Sequence, residues 1–166
     1  MTKLQLTEQE KEEILNIHLP YKITQLKTHV FYQHKFMSNM KFPDVVTKYN
    51  ICAIEISFIA GRLFLEFLGL TMKNKQLAEK AERDYRADDI TVQNFGCETV
   101  RLNELTVEER NILTIFFHRG NKGSGHFTWE KREVDGWQFL REGVYIIIRL
   151  LNEKFYAPLQ IEMKEQ

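Results

Sequence analysis

Apolar residues recur at intervals of three and four along much of the chain, which is the period of an amphipathic helix. The first such segment follows a capping box, Thr7 to Glu10, and predicts a helix over about residues 8–18. Pro20 lacks a backbone N–H, so it is expected to end or kink that helix. A second helical pattern covers residues 21–40 and stops at Phe42-Pro43-Asp44.

The third pattern is the longest, about residues 44–70, and its apolar positions cover most of the helix circumference. A helix of this kind is expected at the centre of a bundle. Its charged residues Glu55, Arg62 and Glu66 are separated by seven and four positions, so they share one stripe. The pattern predicts a buried polar stripe in which Arg62 pairs with Glu66. A solvated edge or a subunit contact is the alternative interpretation.

The middle of the chain is the least helical part. Residues 71–86 are polar and charged, which predicts a short exposed helix. In residues 88–104, two short runs of β-type residues flank Asn94-Phe95-Gly96. This pattern predicts either a small β-hairpin or an irregular segment lying on the bundle.

A second capping box, Thr106 to Glu109, opens another helix. Its apolar residues are expected to face the core: Val107, Ile112, Leu113, Ile115, Phe116 and Phe117. The last helix starts at Asp135-Gly136 and repeats apolar residues at helical spacing until Pro158. The predicted fold is therefore all-α, a bundle of four to six helices with a short irregular or β-hairpin insertion near residues 88–104.

Length and composition narrow the class of protein. The 166 residues fit one helical-bundle domain, residues 1–166, and 43% hydrophobic with 28% charged residues is typical of a globular chain. Lys plus Arg equals Asp plus Glu at 23 each, so the formal net charge is zero. Strong general binding to nucleic acid needs a basic excess and is not expected, although a local basic patch is compatible with this balance.

Cysteine and histidine usage argues against metal sites and disulfides. Cys52 and Cys97 stand far apart in sequence, which favours a reducing cytoplasm. The five histidines form neither H-E-x-x-H nor E-x-x-H, so no metal or cofactor is expected. The most apolar stretch, residues 51–70, carries three charges that would be costly inside lipid, so no membrane association is expected.

The segment HRGNKGSGH, residues 118–126, carries the clearest candidate chemistry. Six residues separate Arg119 from His126, so a continuous helix would place both on one side. Arginine binds phosphate with its planar fork, and a neutral histidine can move a proton. Metal-free RNA cleavage needs both functions. Asn121, Lys122 and Ser124 would add anion-binding or RNA-binding donors. The alternative is a helix C-terminus that glycine ends and whose Arg, Lys and His complement the negative end of the helix.

The run RGNKGSGH, late in an all-α chain, resembles the R-x4-6-H motif of HEPN domains, which are helical bundles and often dimers. In the nuclease members, Arg and His of both subunits meet at the dimer interface and cleave RNA without metal. The resemblance implies that Arg119 binds phosphate and that His126 is the general acid and base. The chain departs from the family pattern because Gly120 follows the arginine, where the family usually has a polar residue, often Asn.

Three functions are compatible with these patterns. The first is a homo-oligomeric binding or assembly module, expected as a homodimer because its central and last helices are unusually apolar. Many HEPN domains are interaction modules of this kind. The second is a metal-independent RNA endonuclease that uses Arg119 and His126. The third is a small-molecule-binding bundle with its pocket among aromatic residues Phe58, Phe64, Phe116, Trp137 and Tyr145.

Overall fold

The computed structural model describes residues 4–37, 43–123 and 136–165, and this part of the chain is mostly helical with a small antiparallel hairpin. Four long helical segments are present in it. The first consists of α1 (Glu8–Glu13), a π-helical turn (Ile14–His18) and α2 (Leu19–Met37), and the second is α3 (Pro43–Phe67). The third consists of α4 (Val107–His118) and a π-helical turn (Arg119–Gly123). The fourth consists of α5 (Gly136–Leu151), a π-helical turn (Asn152–Tyr156) and α6 (Ala157–Leu159). The strands are β1 (Leu70–Lys73) and β2 (Gln76–Glu79). We call Arg119–Gly123 the α4 extension.

The α3 helix is the central element. It packs against α2, α4, the α4 extension, α5 and β1. Phe64, Leu65 and Leu68, in and just beyond its C-terminal half, are at most 2% exposed. Ile51 and Ile56, nearer to the middle of the helix, are 37% and 39% exposed. The apolar side chains of this helix are therefore buried in the core near its C-terminus, while two nearer to its middle reach the surface.

Pro20 was predicted to end or kink the first helix. The structure shows that the helix does not end there. Pro20 lies inside α2, directly after the π-helical turn Ile14–His18. In that turn the Leu19 N–H donates to the carbonyl of Ile14, five residues back. Proline cannot donate to the carbonyl four residues before it, and the wider turn resets the hydrogen-bond ladder just before that position. The helix is thereby able to continue.

The predicted exposed helix over residues 71–86 is wrong, because β1 and β2 form a hairpin there. Asn74 and Lys75 connect the strands with φ angles of 53° and 63°, as in a type I′ turn that suits twisted antiparallel strands. The Leu77 N–H donates to Oγ1 of Thr114 at 3.3 Å, which fastens the hairpin to α4. The hairpin thus depends on contacts distant in sequence.

Residues 88–104 are irregular, with short 3-10 turns at Val92–Phe95 and Leu102–Glu104. The irregular alternative of the prediction is therefore correct, and the hairpin lies about twenty residues earlier in the chain. Val92 and Val100 are fully buried, and the Val100 N–H donates to the carbonyl of Leu68 at 2.9 Å. These contacts attach the insertion to the end of α3.

The helix α4 begins where the second capping box predicted. The Glu109 N–H donates to Oγ1 of Thr106 at 3.1 Å, and the Thr106 N–H donates to Oε2 of Glu109 at 2.8 Å. Val107 was predicted to face the core but is 68% exposed, because it lies on the solvent side of the first turn. Six apolar residues produce the helical spacing of the last helix, and the side chain of one, Trp137, lies outside the described residues. The other five are at most 1% exposed: Leu140, Val144, Ile147, Leu151 and Phe155.

Two glycines inside helices make room for one aromatic ring. A Cβ atom added to Gly61 on α3 would lie 2.1 Å from Phe116, and one added to Gly143 on α5 would lie 2.2 Å from it. The Phe116 ring of α4 therefore fills the space between α3 and α5. Glycine lowers helix propensity by about 1 kcal/mol relative to alanine. The packing of Phe116 explains why both helices contain one.

Candidate anion-binding site at the end of α4

The backbone of α4 stays helical beyond Gly120. The N–H of Arg119 donates to the carbonyls of Ile115 and Phe116, and the π-helical turn runs to Gly123. Gly120 therefore does not end the helix. A helix C-terminus ended by a later glycine stays a prediction, because residues 124–135 lie outside the described part of the chain. Arg119 and Asn121 are both presented from helical backbone, so their directions are fixed by the way in which α4 packs on α3.

Gly120 allows the α4 extension to lie directly on α3. A Cβ atom at this position would be 2.6 Å from the carbonyl oxygen of Phe58 and 2.9 Å from Cβ of Arg62. Real Cβ atoms do not approach a backbone oxygen so closely, and backbone cannot move aside as a flexible side chain can. Glycine at the position after the arginine thus has a steric reason in this chain.

Arg62 of α3 reaches across to the α4 extension. Its Nη1 donates to Oδ1 of Asn121 at 2.9 Å, while its Nε lies 3.7 Å from Oε1 of Glu66. The Arg62 and Glu66 side chains are 25% and 36% exposed, and Glu55 is half-buried. The stripe predicted as buried is therefore only partly buried. Its arginine links the central helix to the candidate site.

Arg119 is half-buried, yet no described residue provides it with a carboxylate partner. Two other arginines show the contrast. Arg101 lies 3.0 Å from Glu79, and Arg149 lies 2.7 Å from Glu109. A partly desolvated guanidinium without an acid retains its full charge for an external anion.

Three of the predicted site residues cannot be located in the same way. The side chain of Lys122, together with Ser124 and His126, lies outside the described residues. The convergence of Arg119 and His126 therefore stays a prediction. The described part of the site consists of Arg119 and Asn121, with Arg62 and Glu66 behind them.

Two of the other histidines and both cysteines have surroundings of their own. His29 is 4% exposed, and burial lowers its pKa, as expected for a neutral core histidine. His18 is exposed and lies 3.3 Å from Glu13. Cys52 is exposed, while Cys97 is buried and its burial raises the thiol pKa. In residues 4–37, 43–123 and 136–165, no group of three or more His, Cys, Asp or Glu could hold a metal ion.

The aromatic residues proposed to line a pocket have different surroundings. Phe58, Phe64 and Phe116 are at most 6% exposed and fill the core. Tyr145 is 46% exposed and meets Phe31 edge to face, with ring centroids 5.4 Å apart. The side chain of Trp137 lies outside the described residues. Of these aromatic residues, Phe64 lines a surface cleft of about 440 Å³, which also contacts residues 88–91. A second cleft, of about 780 Å³, lies against residues 4–6 and 82–94 and contains none of them.

The contact between Arg62 and Asn121 was not predicted from the sequence. The spacing of Arg62 and Glu66 indicated an ion pair along α3 and carried no signal for a partner 59 residues away. Gly120 was the available clue, since a glycine kept within a helix often marks a close approach of two backbones.

Comparisons of this chain with protein-family models, with curated proteins and with solved structures found no match. Within the part of the chain that the structure describes, the helices are too short or too polar to cross a membrane. The fold and the site thus define a mostly helical protein in which an arginine of the central helix donates a hydrogen bond to the α4 extension.

Proposed function

We propose that the protein is a homodimeric helical binding module that holds phosphate groups of RNA at the α4 extension. The observation that carries this proposal is Arg119, which is half-buried, has no carboxylate partner among the described residues and lies two positions from Asn121. A bound phosphate would compensate the charge of Arg119 and accept hydrogen bonds from its guanidinium.

The attraction for the anion comes from side chains. A helix C-terminus carries partial negative charge, so the backbone at this end of α4 repels anions. The formal net charge of the chain is zero, so no overall field draws in nucleic acid either. The proposed binding is consequently local, depends on few phosphate contacts and has a shallow dependence on salt.

The homodimer part of the proposal is supported by apolar side chains left at the surface of three packed helices. Phe31 of α2, Tyr145 of α5, and Ile51 and Ile56 of α3 are between 37% and 46% exposed. Exposed apolar side chains of this size favour association when they are contiguous. A second copy of the chain is the occupant that we propose.

Binding is tested with a fluorescein-labelled single-stranded RNA, by anisotropy in excess chelator. We expect Arg119→Ala to weaken binding about tenfold, because a hydrogen bond to a charged group contributes about 1.5–3 kcal/mol. The slope of log K against log salt should fall by about one phosphate contact. Arg83→Ala, at an arginine whose side chain is 86% exposed, is the control and should bind like the wild type. Equal affinity of wild type and Arg119→Ala would refute the proposal.

The dimer is tested by sedimentation equilibrium. Ile56→Glu puts a charge on the proposed contact and should shift the protein to monomer. Val107→Glu is the matched control, because Val107 is 68% exposed on α4, away from those residues in sequence and helix. A monomeric wild type, or a dimer that both variants leave intact, would contradict the homodimer.

A metal-independent RNA endonuclease is the second candidate function. One observation favours it: the backbone stays helical past Arg119 to Gly123, in a π-helical turn that is wider than the α-helix for which the alignment of Arg119 with His126 was predicted. The test is RNA cleavage in excess chelator by wild type and His126→Ala. Cleavage by the wild type that the variant loses would support this function, and equal cleavage by both would remove His126 from it.

A further inference from the structure

The surface cleft of about 440 Å³ lies where three parts of the chain meet. Its walls come from the helical segment with the π-helical turn Ile14–His18, from the C-terminal part of α3, and from Lys80 with residues 88–91. Small-molecule sites have volumes of about 300–1,000 Å³ and are mostly apolar with a few polar groups. π-helical turns are also frequent at functional sites. The cleft is therefore large enough for a small organic ligand.

The surface of the cleft is largely apolar. Phe64 and Phe67 are at most 7% exposed, whereas Ile90 is 37% exposed, so this apolar surface extends from the core to the solvent. A ligand with an apolar body would remove part of that surface from water, which is favourable. Six apolar side chains line the cleft: Ile14, Leu19, Leu63, Phe64, Phe67 and Ile90.

Two bases on the helical wall are engaged with residues outside the cleft. Nζ of Lys22 donates to Oε1 of Gln25 at 3.0 Å, and Nε2 of His18 lies 3.3 Å from Oε1 of Glu13. Gln25 and Glu13 do not belong to the described residues that line the cleft. The polar groups of both bases are therefore directed along the helix surface and not toward a ligand.

The third base, Lys80, is neutralised within the wall. Its Nζ lies 2.5 Å from the Asp89 carboxylate and 4.7 Å from the ring centroid of Tyr85, and its side chain is only 10% exposed. The same Asp89 carboxylate accepts a hydrogen bond from the Arg86 N–H at 3.0 Å. One positive and one negative charge compensate each other here, so neither calls for a charged ligand.

Asp88 is the acid of the cleft whose charge is not compensated. Oε1 of Glu66, the other acid besides Asp89, lies 3.7 Å from Nε of Arg62, which is outside the cleft. The Asp88 side chain is exposed and has neither an ion pair nor a hydrogen bond with any described residue. The cleft thus combines an apolar surface with one free negative charge.

We infer that this cleft binds a small organic cation, whose ammonium group pairs with Asp88 and whose apolar body packs against Phe64, Phe67 and Ile90. The inference goes beyond the proposed function and does not rest on it, because it uses neither Arg119 nor the α4 extension. Of the aromatic residues that the sequence analysis assigned to a pocket, Phe64 takes part.

The probe is 2-phenylethylammonium, which has a phenyl ring two carbons from its charge, titrated into protein with ¹³C-labelled methyl groups. The methyl signals of Ile14, Leu63 and Ile90 should shift and saturate with a dissociation constant on the order of 1 mM, as expected for so small a ligand. The methyl signals of Val107, which is 68% exposed on α4, should stay in place.

Two uncharged or oppositely charged relatives of the probe test the charge in the wild-type protein. 2-Phenylethanol keeps the apolar body and lacks the charge, so it should bind about threefold more weakly, because an exposed ion pair contributes little. 3-Phenylpropionate would meet Asp88 with a like charge and should bind about tenfold more weakly than the ammonium ion. Equal affinities for the three compounds would overturn the assignment of a cation.

The variant Asp88→Asn should weaken binding of the ammonium ion about threefold, to the affinity of the alcohol, and leave the affinity for the alcohol unchanged. Glu98→Gln is the matched control, since Glu98 is an exposed acid of the same irregular segment, lines neither cleft and has no partner among the described residues. It should bind like the wild type. Equal losses in the two variants would overturn the role of Asp88.

The apolar part of the cleft is tested with Ile90→Ala, which removes part of the apolar wall and should weaken all three compounds by the same factor. Val107→Ala is its control and should leave every affinity unchanged. The site itself is overturned if no methyl signal shows a saturable shift at about ten times the expected dissociation constant. It is also overturned if signals shift while those of Ile14, Leu63 and Ile90 do not.

Discussion

The helix α4 meets α3 twice on one face, and the two contacts differ in chemistry. At Phe116, an aromatic ring fills space left by Gly61 of α3 and Gly143 of α5. One turn later, Gly120 lets the backbone approach Phe58 and Arg62. We call these the ring contact and the glycine contact. Both rely on a missing side chain, but the first buries an apolar ring and the second brings two polar side chains together.

We expect the ring contact to contribute mainly to stability and the glycine contact mainly to the proposed function. The ring contact lies in the core, where Phe116 is fully buried and its ring centroid lies 4.8 Å from that of Phe58. The glycine contact lies at a half-buried edge, where Arg62 and Asn121 remain accessible to a ligand. Disturbing the first should affect mainly folding, and disturbing the second should affect mainly the site.

Breaking the ring contact with Gly143→Ala should cost the most stability. The new methyl would lie 2.2 Å from the Phe116 ring, and overpacking a core costs about 1–3 kcal/mol. Urea unfolding measures the loss, and Gly61→Ala should behave alike. Combining Gly143→Ala with Phe116→Leu, which removes ring atoms, should lose less than the sum of the two single changes. A free energy of unfolding of Gly143→Ala within about 0.5 kcal/mol of the wild-type value would contradict the packing argument.

A smaller loss of stability is expected when the glycine contact is broken with Gly120→Ala. The methyl must displace the α4 extension from the Phe58 carbonyl, but the extension lies at a helix end and can move outward. The loss of stability should therefore be smaller than for Gly143→Ala, while RNA affinity should fall because the displaced extension carries Arg119. Affinity that survives while stability falls would show that the site does not depend on this contact.

The opposite end of α4 provides a further contrast. Thr106→Ala removes the N-cap hydrogen bond to Glu109 and should destabilise the protein by about 1 kcal/mol. Thr7→Ala should cost less, because α1 has no buried residues that depend on its cap. Neither change should alter RNA affinity. Circular dichroism during urea titration measures both, and weaker RNA binding by Thr106→Ala would mean that α4 transmits changes along its length.

Tyr156→Phe, which removes a hydroxyl from the hydrophobic core, should change the stability least. The Tyr156 hydroxyl is buried, has no hydrogen-bond partner among the described residues, and its pKa is raised by burial. Removing an unsatisfied hydroxyl should raise the free energy of unfolding by up to about 1 kcal/mol. A variant destabilised by a similar amount would instead indicate that the hydroxyl makes a contact outside residues 4–37, 43–123 and 136–165.

Local patterns predicted the helices well because their signals lie within one or two turns. The capping boxes at Thr7 and Thr106 and the apolar spacing of α5 each predicted an element that the structure contains. The hairpin was missed because its two four-residue strands are too short for alternation to be distinguished from a polar helix. Asn74-Lys75 is also a weaker turn signal than Asn-Gly.

The candidate site also contains residues that local sequence patterns predicted and a contact that they did not predict. Arg119 and Asn121 were predicted from their types and positions in one segment. Arg62 was singled out for its charge within an apolar helix, but its partner was assigned as Glu66 alone. The hydrogen bond to Asn121 joins residues 59 positions apart, and no pattern in a single chain encodes such a distance.

The sequence by itself determined where helices begin, which of their faces are apolar and which segment carries candidate chemistry. Helix propensity, capping and hydrophobic periodicity can be read from it because they depend on residues close together in the chain. Packing between helices sets the register of α4 on α3. That register depends on the volume of a few side chains, above all the absence of one at Gly61, Gly120 and Gly143, which only facing helices can reveal. The same register brings the Arg62 guanidinium to Asn121 and so defines the site.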